Sequence, residues 1–418
     1  MSTGKMQIDD KKFHQIMQFK YFANQLLSLY IIGIPSNKLK GVFNYQIDSQ
    51  SFFSSSIYRH FASFINDNDI ISGREWDYTK KSIEEFLVRL FKVEEEIFSE
   101  KHGYAKEITY SVEDNSIFNV DALKYNLENS NRFLNNIIEL LHKNKVLLNL
   151  VVMDGSLGTN DYKPGWSDID LFCNLSKEAL LSVENLQKTR EMIRKVNLEI
   201  YKYNILQLHG VFLSTEIDFL FYSNILFPYV PCFEYGSVVY SQKKNYTVHS
   251  VQNKDDAEAY FFEIYESATN LLKKLQNQSL SLREGILLFH RIYSFPFAFL
   301  QCLQVYKYKK YSFEYLIENY SHLFPESRKF YHEINHYYLD WKISSLRTIT
   351  LRDLLLQRFH PALINSIFVL FEKDIRGNIK SMFGQLTDSH RVQFQMYLEN
   401  AKTYLNLPSQ NINKANLK

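Results

Sequence analysis

The sequence predicts an α+β protein in which a small mixed β-sheet unit stands between a helical N-terminal region and a C-terminal helical bundle. Three observations predict it. Residues 146–153 (VLLNLVVM) are a short continuous apolar run closed by the turn-forming Asp154-Gly155-Ser156, which reads as a buried strand. Ile169, Leu171 and Phe172 then alternate with Asp168 and Asp170, which reads as a second strand. On either side, apolar residues recur at helical spacing, after Ser82 and again from about residue 254 onward.

Taken in order, the clearest helix of the first 120 residues follows Ser82, with Glu85 three positions on as a capping box. Ile83, Phe86, Leu87, Leu90 and Ile97 place one apolar stripe on a core. Residues 99–120 read as loop with short strand segments. A helix over about 131–144 carries Phe133, Ile137, Leu140 and Leu141 on one side, and Lys143 and Lys145 suit the negative end of its dipole. The strand at 146–153 follows, then a loop rich in Gly, Asn, Asp and Pro through Trp166, then the strand at 168–172. Ser176 is expected to cap a helix over 177–202, and further strands are expected at 206–213, 217–222 and near 238–240. The middle therefore forms a small mixed sheet. Beyond it, Tyr260, Ile264, Ala268 and Leu271 set a helical rhythm. Ser281 and Glu284 cap an apolar helix that Pro296 should kink or end. Further helices are expected at 312–320, 325–340, 351–372 and 388–404. The expected divisions are 1–120, 121–250, 251–405 and a polar, disordered tail at 406–418.

Composition narrows the function classes. Among 418 residues, 48 basic and 46 acidic side chains leave a net charge of +2, without the basic excess of a dedicated duplex-binding protein. Cys173, Cys232 and Cys302 lie far apart with no CxxC spacing, which argues against disulfides and cysteine-zinc sites and for reduced thiols. The N-terminus lacks an apolar segment after a basic start, and no apolar run reaches the ~18–20 residues that span a bilayer. A cytoplasmic protein without a membrane partner is expected.

The chemistry concentrates between Asp154 and Leu171. Side chains two apart on a strand share a face, so Asp168 and Asp170 project together. Like charges held that close are tolerated mainly around a cation. Two carboxylates with coordination positions left for phosphate oxygens and water suit Mg²⁺, two ions in the expected arrangement, with Mn²⁺ as the alternative. Gly155 lets the backbone approach a ligand, Ser156 adds a hydroxyl, and loop N–H groups can cradle phosphate. Eleven residues between Ser156 and Asp168 suffice to bring the two ends together.

This arrangement resembles the nucleotidyltransferase superfamily of the DNA polymerase beta type. Its signature is Gly-Ser or Gly-Gly, a spacer near ten residues, then Asp-hydrophobic-Asp/Glu. The wording Gly-Trp-Ser-Asp-Ile-Asp-Leu and the helical region after it are similar to the branch that modifies antibiotics and other small molecules. The resemblance implies a polymerase-beta-like core and transfer of a nucleoside monophosphate from an NTP, ATP first among them, to a small-molecule hydroxyl, releasing pyrophosphate. Nucleotidylation of RNA or protein, or an inactive binding protein on the same fold, are the alternatives. It also implies a third carboxylate from a later strand that helps bind the catalytic metal. Asp218 is the first choice, within the strand expected at 217–222, and Glu216 the second. Lys163, in the loop over the metals, is an expected nucleotide contact beside Gly155 and Ser156. So is Lys310, whose segment faintly resembles one in aminoglycoside adenylyltransferases that brings a helical-domain lysine to the triphosphate. The implied substrate cleft lies between core and bundle.

Other signals have plainer readings. His332-Glu333-Ile334-Asn335-His336 matches the HExxH zinc motif, but Leu339 and Lys342 stand where a metzincin needs glycine and histidine, so a surface histidine pair is expected. His209 reads as a core histidine. Glu94-Glu95-Glu96 and Lys273-Lys274 read as solvated helix faces.

Overall fold

The computed structural model describes residues 10–32, 34–35, 44–45, 49–68, 82–99, 106–112, 118, 131–158, 169–203, 210–220, 222–223, 234–251, 254–277, 280, 282–336 and 388–407. In chain order the strands are β1 (Ile34–Pro35), β2 (Asn44–Tyr45), β3 (Lys106–Ser111), β4 (Leu148–Asp154), β5 (Asp170–Leu175), β6 (Val211–Thr215), β7 (Tyr222–Ser223), β8 (Ser237–Ser241) and β9 (Asn245–Val251). The helices are α1 (Asp10–Ile31), α2 (Ser49–Phe53), α3 (Ser56–Asn68), α4 (Ile83–Ser99), α5 (Asn131–Lys143), α6 (Gly155–Gly158), α7 (Val183–Tyr203), α8 (Lys254–Asn277), α9 (Leu282–Cys302), α10 (Lys309–Tyr320), α11 (327–336) and α12 (Asp388–Tyr404). These residues divide into two compact units, one through Val251 and one after it. No described helix is long and apolar enough to cross a membrane.

The first unit is built on a four-stranded mixed sheet in the order β6-β5-β4-β8, with β5 and β8 antiparallel to β4 and β6 parallel to β5. The apolar run is continuous because both faces of β4 are covered. Val151 and Met153 point into a core shared with Ile137 and Leu141 of α5 and with Leu186, Ile193 and Val196 of α7. Leu150 and Val152 point the other way, against Phe219, Tyr222, Tyr246 and Val248. A second sheet, β3-β9-β7, contributes Tyr222, Tyr246 and Val248 to that layer.

The N-terminal helices join the same core. Ser82 caps α4 as expected, its Oγ accepting from the Glu85 N–H at 3.1 Å, and Ile83, Phe86, Leu87 and Leu90 are buried. Phe52, Tyr58 and Phe61 meet Phe86 edge-on, and Phe19 of α1 packs at a tilt against Phe61. Strand β3 pairs antiparallel with β9 from Lys106↔Ser250 to Ser111↔Asn245. The described residues through Val251 cluster as one compact unit.

Several local expectations change. Ser176 gives α7 no side-chain cap: its Oγ donates to the Val146 carbonyl at 2.7 Å, and a 3-10 turn, Lys177–Leu180, comes first. Ser182 caps α7 instead, accepting from the Asn185 N–H at 3.2 Å. Glu94 is not on a solvated face; it is fully buried, because the face of α4 that carries it lies under α1. In the second unit α9 runs through Pro296 to Cys302. Phe295, Ala298, Phe299 and Leu300 are all buried there, and that packing offsets the hydrogen bond proline forfeits. The helix expected at 351–372 lies outside the described residues.

Candidate active site

Strands β4 and β5 end beside each other at the pair Asp154↔Asp170. Directly opposed residues of an antiparallel pair share a face, with Cβ atoms about 4.5–5.5 Å apart. Two carboxylates therefore stand together at the mouth of the sheet, each half-buried, on the face that carries Val152 and Phe172. Like charges so placed repel. As hard oxygen donors on rigid strands, they fit a divalent cation such as Mg²⁺, which takes one or two protein carboxylates and completes its shell with phosphate and water. Among the described residues no group of three or more metal-ligating side chains forms, and Asp168 lies outside them.

Gly155 follows at once. Its φ of +64° is the left-handed region, and a Cβ there would lie 2.6 Å from Asp170 Oδ2. Only glycine lets this backbone rest against that carboxylate. The chain then makes the single turn α6, with Ser156 half-buried on it. Ser237 of β8 closes the turn by donating to the Gly158 carbonyl at 2.9 Å. Gly155→Ala is accordingly expected to lower stability by about 1–2 kcal/mol, from the left-handed backbone alone, in urea denaturation. Displacement of the Asp170 carboxylate adds to that.

Asp218 and Glu216 are not brought to this pair. The strand expected at 217–222 is a 3-10 turn, Glu216–Leu220, followed by the short β7. The reason is local: Thr215-Glu-Ile-Asp218 is a reciprocal capping box. The Thr215 N–H donates to Asp218 Oδ2 at 2.5 Å, and the Asp218 N–H donates to Thr215 Oγ1 at 3.3 Å. Parallel pairing of Leu175 with Thr215 places this turn past the far end of β5. Five strand positions separate Leu175 from Asp170, roughly 17 Å at ~3.3 Å each. Glu216 faces the same remote end, accepting from the Lys177 N–H at 3.3 Å and from Lys243 Nζ. At the level of Asp170, β6 begins with Val211 opposite Leu171, preceded by Gly210, and neither is acidic.

What holds Asp218 is a buried triad invisible to local sequence reading. Lys20 of α1 donates to Asp218 Oδ1 and, at 2.7 Å, to Glu94 Oε1, with all three side chains buried. Burial pulls the Lys20 ammonium down, but the two carboxylates outweigh it and hold its pKa above the ordinary value. Burial pushes the Glu94 carboxyl up, with Lys20 opposing. One lysine does not neutralise two desolvated carboxylates.

The remaining expected residues are scattered. Lys163 and His209 lie outside the described residues. Lys310 is the second residue of α10, in the other compact unit, with its side chain outside the described set. Within HExxH, Glu333 accepts from or shares a proton with the buried His390 of α12 at 2.7 Å, and this bond holds its carboxyl below the ordinary value. His332 and His336 are exposed. Glu333 thus ties α11 to α12. Cys173 and Cys302 are buried, Cys302 donating to the Ala257 carbonyl at 3.4 Å, and burial raises the Cys173 pKa well above its ordinary value. In sequence Asp154 reads as a turn residue; the signal that could find it is its position at the end of an apolar strand, next to Gly-Ser.

No curated protein and no solved structure matches the chain. Residues 134–241, from within α5 to the end of β8 and enclosing Asp154, Gly155 and Asp170, match the family model of the nucleotidyltransferase domain. That match supports a nucleotidyltransferase domain over this part of the chain, which includes the four-stranded sheet and the turn that follows β4.

Proposed function

We propose that the protein transfers a nucleoside monophosphate from a nucleoside triphosphate, ATP in the first instance, to a hydroxyl of a small molecule. The observation that carries this reading is the Asp170 carboxylate resting against the Cβ-less backbone of Gly155, inside the segment that matches a nucleotidyltransferase domain. Asp170, with Asp168 assigned to the same role by its spacing, would hold Mg²⁺. The ion supplies neutralisation of charge on the triphosphate and on the departing pyrophosphate. Gly155 and Ser156 offer backbone N–H groups and a hydroxyl to a phosphate, and Lys163 is assigned to the same anion by its charge. In the transfer the acceptor oxygen bonds to the α-phosphorus, the bond from that phosphorus to the bridging oxygen of pyrophosphate breaks, and the hydroxyl proton passes to water. The near balance of 48 basic and 46 acidic residues favours a small acceptor over a polynucleotide.

The test is a calorimetric titration of the full chain with ATP, GTP, CTP and UTP in the presence of Mg²⁺. One triphosphate is expected to bind, and to lose its binding on chelation of the metal. Absence of binding for all four, with Mg²⁺ and with Mn²⁺, counts decisively against the reading.

A further inference from the structure

We infer that Asp154 is a metal-binding carboxylate of this site and stands in for the acid expected from a later strand. The inference rests on the nucleotidyltransferase reading and names a residue that reading does not supply. Three observations carry it. Asp154 is the register partner of Asp170, so the two carboxylates share one face of one sheet at a single level. The acids of the later segment are committed elsewhere: Asp218 to the Thr215 N–H and to Lys20, Glu216 to Lys177 and Lys243, at the opposite end of β5. Among the β6 residues level with Asp170 there is no acid to take the place. The domain match encloses Asp154, which sets it inside the segment to which the nucleotidyltransferase reading assigns the nucleotide.

The strand itself distinguishes this residue. The six residues Leu148–Met153 are buried, and only Asp154 is partly open. A carboxylate at that point, facing a second one, raises the energy of the metal-free protein. A divalent cation between or beside them removes the penalty. Asp154 binds as a rigid ligand because β4 is paired on both sides, with β5 and with β8. Gly155, immediately after it, turns the chain so that the phosphate-facing loop starts beside the same two carboxylates.

The experiment reads Mn²⁺ binding to the full chain by electron paramagnetic resonance of the free ion, with a non-hydrolysable ATP analogue present. Wild type is compared with Asp154→Asn, Asp170→Asn and Asp154→Cys. Asn is close to isosteric, and far-UV circular dichroism verifies that each variant is folded. Even outer-shell partners of metal ligands are worth about 10–100-fold in affinity, so Asp154→Asn is expected to weaken Mn²⁺ binding at least about tenfold. Asp154→Cys is expected to lose Mn²⁺ and gain Cd²⁺, because thiolate prefers the softer ion. This second variant reports ligation directly should Asn disturb the turn. Mn²⁺ binding by Asp154→Asn within twofold of wild type overturns the role of Asp154 and leaves the nucleotidyltransferase reading standing. Failure of wild type to bind Mn²⁺ with the analogue overturns both.

Discussion

Replacing Lys20 with methionine is expected to destabilise the first compact unit by about 3–5 kcal/mol, the cost of leaving buried charge unpaired. Among the described residues Lys20 is the one cation paired with the two buried carboxylates, Glu94 and Asp218, and Glu94 Oε2 has no hydrogen-bond partner there. Methionine keeps most of the volume and the contact with Phe98, whose ring lies 5.0 Å from the ammonium. The loss is therefore electrostatic. Against a total stability of about 5–15 kcal/mol, such a change moves the urea midpoint strongly. The triple variant Lys20→Met/Glu94→Gln/Asp218→Asn should recover much of it, since no charge is then left buried.

The pH dependence has a definite sign. Both Glu94 and Lys20 have folded pKa values raised above their ordinary 4.5 and 10.5. A raised value means that the folded state binds the proton more tightly. Glu94's contribution is therefore fully present below pH 4.5 and is lost as pH rises through its elevated folded value. Lys20's contribution is lost only above pH 10.5. Glu94→Gln should remove the first of these slopes from a plot of urea midpoint against pH and keep the second. In Lys20→Met, the deficit should shrink on mild acidification, because protonation then discharges the stranded carboxylates. A deficit independent of pH would mean that lost volume, rather than charge, is responsible.

Asp170→Asn is expected to move binding and stability in opposite directions. Metal-nucleotide affinity should fall by about 100-fold or more, at least the upper range seen for groups that only support a ligand. The metal-free protein should become more stable by roughly 0.2–1 kcal/mol, because one of two like charges directly across a strand pair is gone. Calorimetric titration with Mg²⁺ and the preferred triphosphate measures the first quantity, and thermal melting in chelator the second. A melting temperature that falls instead would assign Asp170 a structural hydrogen-bonding task. The contrast with Asp218→Asn is informative: that substitution breaks a buried ion pair and a capping box, so it should destabilise while leaving metal affinity in the folded protein nearly unchanged.

Much of the framework was legible from order and spacing. The Ser82/Glu85 cap, the stripe of α4, α5 and the paired strands β4 and β5 all follow from patterns spanning a few residues, which is the range over which hydrogen-bond geometry acts. Gly155 and Asp170 were legible for the same reason: a glycine in the left-handed region beside a strand-end carboxylate is a local device. The segment after Thr215 misled because its apolar and aromatic residues read as strand, while the Thr215/Asp218 box, also local, favours a turn.

Other features depend on partners distant in the chain. Strand β3 finds β9 across more than a hundred residues, and no periodicity in either names the other. Glu94 looked solvated because three consecutive glutamates on a helix ordinarily face water. It is buried because Lys20, 74 residues earlier, sits over it, and Asp218 completes the group from a third element. Charge pairing acts through space and leaves no spacing to read. By itself the sequence determined where α4, α5, β4 and β5 form and which strand end carries a carboxylate beside a glycine. Only the tertiary structure decided which acids face one another: antiparallel register set Asp154 against Asp170, and the parallel register of β6 carried Asp218 to the other end of the sheet.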